Sequence, residues 1–147
     1  MNEYHYRVLK SDWFISIKII GDILQNQENE KNKEIYKGIF ITYSSKMPSL
    51  ISLSKTDRYA IETGLYLVRN EIISSSKFQK GTLINILDIM YDFFYFQEEG
   101  LVVATMYWAA DAFGFELSEI KEGYDKENKR YTFLYKGEYL LLDEQIK

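Results

Sequence analysis

The chain has 147 residues, 46% apolar and 27% charged, with a net charge of −4; that fits one globular domain able to remove roughly 70% of its unfolded surface from water. Cysteine is absent and His5 is the single histidine, which excludes disulfides, thiolate nucleophiles and Cys-ligated metals and removes most zinc and His-based acid–base schemes. No apolar run approaches the roughly 20 residues of a membrane span, and the start MNEYHYRVLKSDW has no apolar signal region, so the expectation is a cytoplasmic protein.

The charge is unevenly spread. Residues 1–81 carry a balance of +3 and residues 82–147 one of −7. An acidic half argues against nucleic acid and for a cationic partner.

In chain order, Tyr4–Leu9 and Trp13–Ile20 read as strands, the second with Trp13, Ile15, Ile17 and Ile19 on one face. Gly21–Asp22 reads as a tight turn, with Ile23 and Leu24 beginning a return. Residues 25–34 are wholly polar and read as a solvated loop, followed by a strand over Ile35–Tyr43 that Met47–Pro48 ends. Ser54–Lys55–Thr56–Asp57 matches a capping box, so a helix starts there, with Ile61, Leu65, Val68 and Ile72 as its apolar stripe. Gly64 inside it costs about 1 kcal/mol relative to Ala, which points to close packing on a sheet.

Gly81–Ile120 is the stretch around which the chain is organised: it holds seven acids and no Lys, Arg or His. Within it Leu83–Tyr91 reads as a buried strand and Glu98–Phe113 as a helix apolar nearly all round, with Gly114 at its C-terminal cap. The tail reads as a meander: Phe115–Tyr124, Arg130–Tyr135 and Glu138–Leu142, joined by polar turns. The predicted fold is α+β, one domain over residues 1–147. It has a largely antiparallel sheet of about six to seven strands and two helices packed on one face. Ile61, Leu65, Val68, Ile86, Val102, Met106, Ala109 and Phe113 are its predicted core.

The strand before a helix opening with Tyr59–Ala60–Ile61–Glu62–Thr63–Gly64, then Lys80–Gly81 leading into an apolar strand, then a helix with Ala104, Ala109, Ala110 and Ala112, resembles domain IV of elongation factor G over residues 35–116. The resemblance implies a fold only.

Candidate chemistry is sparse. Asp88 and Asp92 would share one face of an extended strand near Glu98, Glu99 and Asp111, a pattern open to a hard cation, to paired-carboxylate catalysis, to helix capping or to partner binding. His5 reads as a strand-edge residue, Gly81 and Gly100 as close-packing positions, and Trp108 as core. Tyr91, Phe93, Phe94, Tyr95 and Phe96 crowd six positions and cannot all face inward on a strand. Exposed rings rimmed by acids make a protein-binding patch. The expected partner-binding set is therefore Asp88, Tyr91, Asp92, Phe93, Tyr95, Glu98 and Glu99, with no catalytic residue, cofactor or metal. The expected function is non-enzymatic binding of a protein with a basic surface, with no nucleic acid or membrane as partner; an immunity protein that neutralises a cognate bacterial toxin fits this profile by elimination. A small-molecule-binding or carboxylate-based enzymatic domain with a pocket between helices and sheet, and a structural homodimer, are the alternatives.

Overall fold

The computed structural model describes residues 1–46, 53–78 and 80–142, so the Met47–Pro48 break lies outside the described residues. Alternating apolar positions give the first hairpin: β1 (Asn2–Leu9) pairs antiparallel with β2 (Phe14–Gln25). β2 does not turn back at Gly21–Asp22. It runs on with an irregularity in register between Ile20 and Gly21 because Gly21 serves packing, not turning: a Cβ there would stand 2.8 Å from the Trp108 ring.

The single strand expected over Ile35–Tyr43 is a hairpin instead. β3 (Lys33–Tyr36) and β4 (Ile39–Tyr43) are joined at Lys37–Gly38, where Gly38 has φ +88°, a left-handed conformation that glycine adopts without penalty. The capping box forms as expected: the Ser54 hydroxyl accepts from Asp57 N and the Asp57 carboxylate accepts from Ser54 N, opening α1 (Lys55–Leu67). A short α2 (Arg69–Ser75) follows and buries Ile72. Next come β5 (Thr82–Tyr91) and α3 (Glu98–Phe113), the latter ended by Gly114 at φ +78°.

The main sheet has the order β1-β2-β5-β4-β3, antiparallel throughout except for the β4–β5 pair. The tail builds a separate, three-stranded sheet from β6 (Ile120–Asp125), β7 (Arg130–Tyr135) and β8 (Glu138–Tyr139), shorter at both ends than the expected meander. The predicted α+β architecture is thus present, with its strands divided between two sheets.

α1 and α3 lie on the same face of the main sheet, the face that carries Gly21, Ile86 and Tyr43 at cross-strand positions. Trp108 of α3 covers Gly21, and the Tyr43 hydroxyl donates to Glu62 of α1 over 2.8 Å. α3 is apolar all round because it is enclosed all round: ten of its sixteen residues are buried against α1, β1, β2 and β7. Gly64 lets the helices touch. A Cβ there would stand 2.6 Å from Val102 O and 2.9 Å from Thr105 Cβ, so its close neighbour is α3 and not the sheet.

Ile61, Leu65, Val68, Ile86, Val102, Met106 and Ala109 are fully buried, and Phe113 is half-buried against the same core. Trp108 is fully buried too, with its indole N–H donated to Asn2 O. No helix among the described residues is long and apolar enough to cross a membrane.

Candidate functional site

The segment between β5 and α3 carries the ring cluster, and its two ends are pinned. At the β5 end the Tyr91 hydroxyl donates to Asp57 Oδ2 over 3.1 Å, tying the strand to the α1 cap, and the Tyr91 ring stacks on Phe96 at 3.9 Å. Burial, then the Asp57 charge, raise the Tyr91 pKa. The turn itself closes on Asp92, whose carboxylate accepts from Phe94 N and whose carbonyl accepts from Tyr95 N. An Asp that bonds the backbone two residues on is a standard local turn. At the α3 end Gln97 is buried and bonds the Tyr131 backbone.

Pinned ends leave the middle outward. Phe93 is 77% exposed and Phe94 91% exposed, while Tyr95 is stacked on Phe14 of β2 at 5.4 Å with both rings partly open to water. Tyr95 and Phe14 form a stacked pair on this surface, next to the exposed Phe93–Phe94 turn. Beside it lies a wide, shallow concavity of about 520 Å³, bordered by Trp13, Phe94, Tyr95 and Glu98 on one side and Asn128, Lys129 and Arg130 on the other. Its rim is therefore mixed in charge. Glu98 stands on the ring side, and the β6–β7 turn with the start of β7 brings Lys129 and Arg130 to the opposite side.

The seven expected contact residues do not form one surface. Asp92, Phe93 and Tyr95 are exposed together, with Glu98 half-exposed at the start of α3. Tyr91 is half-buried and committed to Asp57 and Phe96. Asp88 is buried, with its carboxylate accepting from Ile89 N, and β5 ends at Tyr91, so Asp88 and Asp92 share no strand face.

Glu99 is buried as well. It accepts from Gln97 Nε2 (3.0 Å), from Arg130 (2.8 Å) and from Leu142 N (3.1 Å). A carboxylate with three donors at 5% exposure holds the second sheet against α3 and is closed to a partner. Phe94, the most exposed of the rings, belongs to the surface in place of these buried acids. Ring count revealed the cluster; which rings face out follows from the Asp92 turn, whose own signal is an Asp two residues before Phe94.

The His5 ring lies 2.6 Å from Ser16 Oγ and 3.0 Å from Arg7, on the sheet face away from the helices; loss of solvent contact, then the Arg7 and Lys18 charges, lower its pKa. Among the described residues no group of three or more His, Asp or Glu is placed to hold a metal ion. The space between helices and sheet is filled by Ile15, Ile17, Ile19, Ile84 and Trp108, all fully buried.

Compared with known proteins, the chain matches no family model, no curated protein and no solved structure.

Proposed function

We propose that this chain is a non-enzymatic protein-binding protein whose contact surface is built on the exposed rings Phe93, Phe94, Tyr95 and Phe14, together with Asp92 and Glu98. The observation that carries the reading is the exposure of Phe93 and Phe94 on a turn that is fixed at both ends. An isolated exposed ring is ordinary, but adjacent large rings with no core of their own are the composition of an interface centre. A turn held by Asp92 also loses little freedom on binding, so more of the ring burial reaches the affinity.

The partner we propose is a protein with an apolar recess for the Phe94 ring and basic groups opposite Asp92 and Glu98. An immunity protein that occludes a toxin is the biological form of this reading. It is supported by a net charge of −4 and by a sequence with no Cys and one His.

The test is affinity capture from native lysate at low salt, with the wild-type chain and Phe94→Ala as parallel baits. The reading predicts one stoichiometric protein retained by the wild type and lost with Phe94→Ala. Equal capture by both baits would refute it. A mass in solution that doubles with the wild type and not with Phe94→Ala would replace the foreign partner with a second copy of this chain.

A further inference from the structure

We propose that the cleft between α1 and the β3–β4 hairpin binds a small molecule carrying a polyphosphate. The cleft is at the sheet edge far from β1 and is independent of the exposed rings. It encloses about 470 Å³, which lies within the range of small-molecule sites.

Four cations converge on it from three segments: Lys31 from the loop before β3, Lys33 from β3, and Lys55 and Arg58 from the first turns of α1. Glu62 is the sole acid on its wall, and both of its oxygens are engaged within the protein: Oε1 is 2.6 Å from Lys33 Nζ and Oε2 accepts from the Tyr43 hydroxyl over 2.8 Å. Among the described residues none of the ion pairs involves Lys31, Lys55 or Arg58. Three like charges without an ion pair among the described residues, one of them Arg58 with its guanidinium 5.7 Å from the Tyr43 ring centroid, repel one another around one cavity, in a chain whose overall charge is negative. An anion in the cleft removes that repulsion. Lys55 and Arg58 stand in the first turn of α1, whose positive dipole end is already met by the buried Asp57 carboxylate, so the preference for an anion rests on the cations themselves. Glu62 keeps Lys33 at the wall and so shapes the cation ring without closing it.

The cleft continues along α1. A second concavity of about 370 Å³ shares Lys33, Tyr59 and Glu62 with the first and runs on to Tyr66 and Ile35. A ligand with phosphates beside Lys55 and Arg58 can therefore lay a planar group against Tyr59. A nucleoside triphosphate has that shape, whereas inorganic triphosphate fills the cationic end alone.

The test is calorimetric titration at low salt with ATP, inorganic triphosphate, adenosine and a poly-glutamate peptide, on the wild type and on the exposed double variant Lys55→Gln/Arg58→Gln. The inference predicts saturable binding of ATP, no binding of adenosine, a loss of at least tenfold in affinity in the double variant, and a melting temperature of that variant without ligand no lower than that of the wild type, since its cleft repulsion is relieved. Tighter binding of ATP than of triphosphate assigns a nucleotide; equal binding assigns the polyphosphate alone. Absence of saturable ATP binding, or ATP binding that the double variant retains, overturns the inference. So does binding of poly-glutamate in preference to both phosphates, which would make the cleft a docking site for an acidic protein.

Discussion

The side-chain amide of Gln97 and the backbone of Tyr131 exchange two hydrogen bonds of 2.8 Å each, Gln97 Nε2 donating to Tyr131 O and Tyr131 N donating to Gln97 Oε1. The amide thereby acts as one rung of a strand. β8 pairs only with Leu134 and Tyr135 of β7, and Gln97 satisfies the backbone that β8 does not reach. Gln97→Ala leaves a buried N–H and C=O without partners, and the expected loss is about 2–4 kcal/mol. Urea unfolding measures the loss, and faster amide exchange at Tyr131 locates it.

Glu99 completes the same junction through Gln97, Arg130 and Leu142. Glu99→Lys sets an ammonium among three donors. A loss of about 3 kcal/mol or more is expected, read by chemical unfolding. A variant as stable as the wild type would mean that Glu99 does not secure the second sheet.

Gly64→Ala tests the contact between helices. Alanine would favour an isolated helix by about 1 kcal/mol, but its methyl would meet Val102 O at 2.6 Å. Backbone cannot step aside as a flexible side chain can, so the expected result is a net loss of about 1–3 kcal/mol. Increased stability in thermal unfolding would mean the helices separate freely.

Alkaline pH should unfold the protein. Burial raises the pKa of Tyr6, Tyr43 and Tyr91, and acceptor carboxylates (Glu122 for Tyr6, Glu62 for Tyr43, Asp57 for Tyr91) raise them further. The folded state thus holds neutral phenols that the unfolded chain ionises near pH ~10. Their stabilising contribution is complete below that pH and declines as pH rises above it, by up to about 1.4 kcal/mol per pH unit for Tyr6 alone. Stability measured from pH 8 to 11, alongside tyrosinate absorbance, should show unfolding and ionisation together.

Features set by neighbours in sequence were legible, and those set by distant partners were not. The bounds of α3 follow from an apolar run closed by Gly114, and α1 from the Ser54–Asp57 box. β2 passing straight through Gly21 depends on Trp108, 87 positions later in the numbering of the chain. Burial of Glu99 depends on Arg130 and Leu142, which no local pattern around Glu98–Glu99 announces. The hairpin at Lys37–Gly38 has a local signal, a lone Gly within a β-rich run, but the strand propensity on either side of it is strong enough to suggest one continuous strand. The cleft cations lie at Lys31, Lys33, Lys55 and Arg58, a grouping that only the return of α1 beside β3 creates.

The central claim is that the exposed rings Phe93 and Phe94 between β5 and α3 serve binding and not the fold, and Phe94→Ala examines it most directly, because Phe94 is 91% exposed. The measurement is the dissociation constant for the captured partner, taken together with the unfolding free energy of the free protein. The account predicts an affinity loss of about 2 kcal/mol, roughly thirtyfold in Kd, with stability changed by no more than about 0.5 kcal/mol. Unchanged affinity, or a loss of stability as large as the loss of binding, would contradict it.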